Sequence, residues 1–338
     1  MPERNDIKKI SMVGSAPIVQ LEARVIRQVK VAQETFLLSL EAPPITRRIQ
    51  PGQFVQVRCR AQEDARGQFY DPFLPRPFSV HRLRGRRILE ILYEVVGCGT
   101  RWMSELRQGD SLHLFGPLGN TFSYPAAGSL SFLVGGGGGI APFYDLAEAL
   151  IDPGRGKQRK QDVIVLFGAR TRKKVLCEKE FKTLGVRFEA ATEDGSYGFK
   201  GFVTELLEKR LRATSDKQQA TRIYACGPNP MLRAVYGIAK AFHIPCEVSL
   251  HTHMPCGYGV CFGCAVKTKI QDNQTNNAAL SRGVTRPRAP KFASSDSDAE
   301  FGKRSRQDPE AERGAQTAYK LVCTDGPVFR AEELIWDP

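Results

Sequence analysis

Hydrophobic and polar positions alternate in short runs over the first third of the chain. Gln53-Phe54-Val55-Gln56-Val57 and Ile88-Leu89-Glu90-Ile91-Leu92-Tyr93 are β-branched or alternating, and Pro51-Gly52, Gly85 and Gly116-Pro117 punctuate the runs. A period of two between turn residues predicts strands, and residues 17–124 as a whole predict a small antiparallel β-barrel. From Leu130 the pattern changes. The apolar strand Phe132-Leu133-Val134, a glycine run, an Ala- and Leu-rich helix over 141–150 and a second apolar strand, Val163 to Phe167, predict a βαβ unit in a parallel sheet. Strands at 186–190 and 222–225, with a helix over 203–211 between them, extend this nucleotide-binding α/β domain across residues 128–245. Residues 246–338 form a third, small domain. Inside it, residues 270–318 are rich in Ser, Asn, Gln, Asp and Arg with very few large apolar side chains. Such a composition cannot bury enough surface to order itself, so a disordered insert is expected there.

The 338 residues suffice for two or three such domains. No run of about eighteen apolar residues is present to cross a bilayer, and the N-terminus does not read as a signal peptide. The expected location is therefore the cytoplasm, where nine cysteines are reduced thiols, metal ligands or redox groups rather than disulfides. The net charge of +13 raises nucleic acid as a partner. The basic residues are nevertheless spread in short pairs such as Arg86-Arg87 and Lys173-Lys174, which reads as solvated surface, so neither nucleic acid nor membrane is expected as a partner.

Cysteine spacing carries the sharpest signal. Cys256, Cys261 and Cys264 stand as C-x4-C-x2-C, with Cys323 beyond the insert. This is the plant-type spacing for a [2Fe-2S] cluster held by four thiolates, and Gly257, Gly259 and Gly263 suit a loop wrapped closely around it. The alternative is a four-cysteine zinc site that staples the domain, for which two C-x2–4-C pairs are usual. Cys59, Cys98, Cys177 and Cys246 read as small hydrophobes or chance surface thiols.

After the strand ending at Val134, Gly136, Gly138 and Ala141 satisfy G-x-G-x-x-A at a strand-to-helix turn, where a pyrophosphate can approach backbone amides. The acidic residue expected to hold an adenine ribose is replaced by Gly168-Ala169-Arg170-Thr171-Arg172. Glu193 and Asp194 would repel a 2′-phosphate and Arg170 and Arg172 attract one, with NADH the favoured reading. In the barrel, Arg76-Pro77-Phe78-Ser79 sets a guanidinium suited to phosphate three residues before a hydroxyl, and Gly97-Cys98-Gly99-Thr100 opens a helix-like run. A basic edge strand and an ordinary N-cap threonine explain each of these equally well when taken singly.

In this order the motifs closely resemble the ferredoxin–NADP reductase superfamily, and within it the electron-transfer subunits of dihydroorotate dehydrogenase B. The matching segments are Pro51 to Phe54, Arg76 to Ser79, Gly99-Thr100, Gly135 to Pro142, Thr192 to Gly198, Cys226-Gly227-Pro228 with Met231, and the cysteine loop with Cys323 to Phe329. The resemblance implies FAD held by Arg76, Pro77, Phe78, Ser79, by Leu92, Tyr93, Glu94 and by Gly99 and Thr100. It implies NAD(H) on the second domain, Cys226 beside nicotinamide and flavin, and a [2Fe-2S] cluster at the partner-facing end. The implied partner is an FMN-containing dihydroorotate dehydrogenase catalytic subunit, two of each forming a heterotetramer in pyrimidine biosynthesis. Two features depart from the family pattern: Glu94, where a neutral or basic neighbour of flavin phosphates is expected, and the long insert. A hydrogenase, a sulfur reductase or an NADP transhydrogenase is the rival partner, and a zinc-stapled nucleic-acid-binding protein is the rival class.

Overall fold

The strands of the first domain curl around a core made by their inward faces. In the computed structural model, which describes residues 8–10, 17–59, 74–152, 161–214, 219–269 and 317–336, this domain comprises β1 (Lys8–Ile10), β2 (Ile18–Ala32), β3 (Thr35–Glu41), the short helix α1 (Pro43–Thr46), β4 (Phe54–Arg58), β5 (Arg76–Ser79), β6 (Arg82–Arg84), β7 (Ile88–Glu94), α2 (Cys98–Ser104) and β8 (Ser111–Leu118). The antiparallel order is β5-β4-β8-β2-β3-β7-β6, with β1 on β2. Val25, Leu38, Leu40, Val55, Val57, Leu89, Ile91 and Leu114 fill its interior, the period-two residues of strands closed on one another. The ring of Phe78 on β5 meets that of Tyr93 on β7 edge-on at 6.0 Å, so the two ends of the sheet approach across the interior.

One buried carboxylate fastens the end of this sheet. Glu90 on β7, 2% exposed, accepts hydrogen bonds from Arg82 Nε at 2.6 Å, Arg84 Nε at 2.7 Å and Ser39 Oγ at 3.0 Å. Burial pushes its pKa up, but the bonds from Arg84 and Arg82 outweigh burial and hold it below the ordinary 4.5. A depressed folded-state pKa means that this stability is fully present above the ordinary carboxylate value and drains away as pH falls through the lower one. Glu90→Gln is expected to cost about 2 kcal/mol at pH 7, and the difference from wild type should shrink below pH 4 in urea titrations.

The second domain is a doubly wound sheet of β9 (Leu130–Gly136), α3 (Phe143–Ile151), β10 (Asp162–Ala169), α4 (Glu178–Thr183), β11 (Arg187–Thr192), β12 (Phe199–Lys200), α5 (Val203–Thr214), β13 (Thr221–Cys226) and α6 (Asn229–Ala241). Alternate residues of β9 face opposite layers. Phe132 and Val134 pack with Leu206, Leu207, Leu232 and Val235 of α5 and α6. Leu133 packs with Phe143, Leu146, Leu150 and Phe181 of α3 and α4. Continuous apolar strands buried on both faces require this layering.

The expected boundary at residue 245 does not interrupt the sheet. β14 (Cys246–Ser249) pairs parallel with β13, and β17 (Val328–Arg330) adds an antiparallel edge, giving the order β12-β11-β10-β9-β13-β14-β17. The remaining pieces, β15 (Ala265–Lys269) and β16 (Thr317–Leu321), form a separate hairpin. Thr317 and Ala318, expected in the insert, belong to β16, and residues 270–316 lie outside the described residues. Cys323 sits in the turn after β16.

Candidate functional site

β9 runs on to β10, β11 and β12 on one side, while β13 lies on the other, so the sheet has its topological switch point at the carboxyl ends of β9 and β13, where α/β sheets bind ligands. A cavity of about 730 Å³ opens there. Gly136 to Gly138, Gly168 to Arg170, Glu193, Gly201 to Thr204 and Met231 line it from the sheet, and Thr35, Leu92, Tyr93 and Glu94 from the barrel. Gly137 and Gly138 have open space where a Cβ would stand, so the backbone itself faces the cavity, as a pyrophosphate cradle requires. Residues 137–140 make one 3₁₀ turn and α3 begins only at Phe143, two residues later than expected, with Pro142 as its N-cap.

The polar groups at the rim are unevenly available. The Arg172 guanidinium lies 3.6 Å from the centre of the Tyr197 ring and donates to Glu178 at 2.6 Å, which fixes it against the protein. Arg170 and Glu193 both face the cavity. Lys174 Nζ bonds Glu94 Oε1 at 2.7 Å across the mouth, which answers the anomaly of an acid at that position: its charge is paired across the cleft.

Arg76, Pro77, Phe78 and Ser79 form β5 and are half-buried at the barrel edge, outside the cavity lining. Burial pushes the Cys59 thiol up to about 12, with the Arg76 guanidinium lowering it and Cys98 raising it, so Arg76 and the start of α2 converge on one spot. Thr100 Oγ1 accepts the amides of Val96 at 2.9 Å and Gly97 at 3.2 Å, closing the turn that places Gly97 to Gly99 there. Leu92 to Glu94 end β7 beside it, where Tyr93 stacks on Phe36 at 5.8 Å. A cation, the start of a helix and an aromatic wall fit a phosphate-bearing flavin.

Ala141 does not reach the cavity: it is 4% exposed and its carbonyl meets His81 Nδ1 at 2.9 Å. Cys226 ends β13. Its side chain is fully buried and absent from the lining, with Sγ 3.3 Å from His251 Nε2, because the Gly135 to Ile140 turn closes over the end of β13. Burial pushes its pKa up to about 12, with a bond to Ser249 opposing.

Cys256, Cys261, Cys264 and Cys323 come together in the third domain. Cys256 lies against Cys261 and Cys323 against Cys264, two pairs, as two irons need. The amides of Gly263 and Cys323 point at the sulfurs of Cys261 and Cys264, both at 3.4 Å. Burial pushes Cys256 up, but the amides of Tyr258, Cys261 and Val260 and the Cys261 thiol bring it down to about 7. Convergent amides suit thiolates on an anionic cluster. Two pairs of thiolates suit two irons, whereas a tetrahedral zinc with bonds of about 2.3 Å draws all four sulfurs equally close. The arrangement fits a larger cluster. Gln56 Nε2 donates to the Met254 carbonyl at 2.6 Å, seating the loop on β4 of the barrel.

Thr35, Lys174, Gly201 to Thr204 and Pro230 were not apparent from sequence. They meet only because strands distant in the chain end at one level, and no local pattern marks them.

A family model described as an oxidoreductase NAD-binding domain matches residues 133–236, and one described as the iron-sulfur cluster binding domain of dihydroorotate dehydrogenase B matches residues 251–279. The electron transfer subunit of dihydroorotate dehydrogenase B (NAD(+)) from Desulforamulus reducens is 36% identical over 267 residues, 79% of this chain and 95% of the relative. The subunit of the same name from Bacillus caldolyticus is 33% identical over 309 residues, 90% of this chain and 94% of the relative. Among solved structures, an NADH-dependent reduced ferredoxin–NADP oxidoreductase studied for flavin-based electron bifurcation superposes with a TM-score of 0.67 at 26% identity, covering 96% of this chain and 92% of that one. A ferredoxin–NADP+ reductase from Neisseria gonorrhoeae with bound FAD and NADP, at a TM-score of 0.53 and 18% identity over 70% of this chain and 95% of that one, shows the shared fold. With its sheet topology, its paired cysteines and relatives of this identity over nearly their whole length, the chain belongs to the family of dihydroorotate dehydrogenase B electron-transfer subunits.

Proposed function

We propose that this chain carries electrons between NAD(H), FAD and a [2Fe-2S] cluster, and exchanges them with an FMN-containing dihydroorotate dehydrogenase catalytic subunit in pyrimidine biosynthesis. Two copies of each would form a heterotetramer. The observation that carries this reading is continuity: the β13–β14–β17 side of one sheet runs from the dinucleotide cavity to the domain holding the four paired thiols. FAD, when bound, exchanges a hydride with the nicotinamide and single electrons with the cluster.

The protein's own residues position these groups. Arg76 to Ser79 and Gly99-Thr100 hold the flavin phosphates, and Leu92, Tyr93 and Glu94 form the wall between flavin and nicotinamide. Gly136 and Gly138 cradle the NAD pyrophosphate, with Ala141 behind them. Cys226 is a positioning residue: its thiol stays neutral, and its backbone backs the glycine turn. Cys256, Cys261, Cys264 and Cys323 ligate the cluster. The test is an anaerobic absorption spectrum before and after NADH. Flavin bands with an iron–sulfur shoulder that bleach together support the reading, and a protein colourless even after anaerobic reconstitution sinks it.

The partner surface follows from exposure. Val260 and Phe262 flank Cys261 at 65% and 69% exposed, an apolar patch over the cluster loop of the kind that marks a protein contact. No helix among the described residues is long and apolar enough to cross a membrane. Phe262→Asp is expected to weaken binding of the catalytic subunit by roughly 10–100-fold while leaving the absorption spectrum unchanged, as read by titration calorimetry.

A further inference from the structure

The motifs assigned above leave one cluster of ligand-type side chains unused. His81 follows β5 in the barrel, and Cys177 and Glu180 lie at the start of α4 in the nucleotide domain. One ligand atom from each, an imidazole nitrogen, a sulfur and a carboxylate oxygen, lies within 4.8 Å of the other two, the one such group among the described residues.

The histidine is set up as a ligand. It is fully buried, and its backbone is clamped from both sides, His81 N–H to Glu90 O at 2.8 Å and Asp145 N–H to His81 O at 3.1 Å. Its Nδ1 lies 2.9 Å from the Ala141 carbonyl. A carbonyl only accepts, so Nδ1 carries the proton and Nε2 presents a bare lone pair. That nitrogen has no hydrogen-bond partner, and buried polar atoms without a partner are rare. A backbone carbonyl fixing the tautomer of the far nitrogen is the usual support of a metal-bound histidine.

Cys177 is held in a left-handed conformation, φ +60°, a cost that a non-glycine residue bears only when its surroundings impose it. Its thiol lies within hydrogen-bonding reach of Glu180, three residues on. The neighbouring Glu178 is occupied elsewhere, by Arg172, Lys182 and Tyr197. The nearest cation, Arg82, is held by Glu90 at 2.6 Å and lies over the Tyr144 ring at 4.8 Å.

We infer that His81, Cys177 and Glu180 bind a divalent transition ion of the zinc class, which bridges the barrel and the nucleotide domain. Imidazole, thiolate and carboxylate are zinc's ordinary ligands. One thiolate and one carboxylate balance the ion's two positive charges, so the filled site is neutral. Binding releases the Cys177 thiol proton to solvent. Cys177 and Glu180 are only half-buried, which leaves room for water as a fourth ligand. Three ligands from two domains fix the angle between them, and hence the cavity that both line. The site is separate from the cluster loop and does not depend on the redox reading.

The test uses the holoenzyme, with flavin and iron loaded, dialysed anaerobically against micromolar zinc chloride and assayed for zinc, iron and flavin per chain. The expected result is one zinc per chain with iron and flavin unchanged, and affinity lower by at least ~100-fold in Cys177→Ser and in Glu180→Gln. Both substitutions fall on half-buried positions and should fold. His81→Gln, at a fully buried position, is a third variant, read only where its flavin content is normal. Failure of the wild-type holoenzyme to take up zinc, uptake equal in the variants, or uptake that displaces iron would each overturn the inference.

Discussion

Replacing Cys261 with Ser is expected to abolish cluster assembly, leave flavin content and reduction by NADH intact, and slow electron exchange with the catalytic subunit by about a thousandfold or more, since the cluster is the proposed one-electron carrier between flavin and partner. The separation follows from where the ligand sits. Cys261 is exposed on the cluster loop, and it takes part in no core cluster. The flavin-side groups, Arg76 to Ser79 and Leu92 to Glu94, belong to barrel strands with their own core. Cys264 should behave differently, being 2% exposed and part of the core that the third domain shares with the nucleotide sheet. Cys264→Ser places a hydroxyl there and should lower stability by about 1–3 kcal/mol besides removing the cluster. Iron per chain, flavin per chain and Tm, measured on both variants, separate ligand loss from core damage. Normal iron content in Cys261→Ser would show that the cluster is held by another set of thiols.

The parts of this architecture legible in the sequence are those written locally. Alternation marked β4 and β7, unbroken apolar runs marked β9 and β10, and the cysteine spacing pointed to the four thiols that the third domain brings into two pairs. The less legible parts depend on long-range pairing. β17 comes from the far side of a long insert to complete a sheet begun at Leu130, and only the register of Val328 with Ser249 and Phe329 with Val248 reveals it. The same holds for Glu94, which looked misplaced until Lys174, eighty residues later in the chain, supplied its counter-charge. Cys226 shows how packing adds to what the resemblance implies. The resemblance implies only its place beside nicotinamide and flavin, and the burial of its thiol under the Gly135 to Ile140 turn comes from long-range packing. Cys177, read as a chance thiol, gained meaning only when His81 from another domain was found against it.

Gly139→Ala is expected to be a severely damaging single-methyl change in the nucleotide domain. Gly139 does not adopt a left-handed conformation, so the backbone angle tolerates alanine and the difficulty is space. A Cβ there would lie 2.1 Å from the Cys226 carbonyl oxygen, 2.4 Å from its carbon and 2.7 Å from the Gly227 nitrogen. All three are backbone atoms at the end of β13 and cannot rotate away as a side chain can. Relief requires β9 and β13 to separate at the switch point, breaking the pairing of Gly135 with Cys226 and opening the packed layer behind it. Overpacking against fixed backbone costs about 3 kcal/mol, which for a chain of this size lowers Tm by roughly 6–12 °C, and NADH affinity should fall with it because the cradle moves. Gly138→Ala is the control. Its Cβ would meet nothing and would project toward the cavity, so Tm should stay at the wild-type value while NADH binds about tenfold more weakly, the methyl occupying space that the pyrophosphate needs. Calorimetric Tm and NADH titration on the pair separate the two roles. A wild-type Tm for Gly139→Ala would mean that the β9–β13 junction is looser than the structure shows, and undiminished NADH affinity in Gly138→Ala would move the pyrophosphate away from this turn.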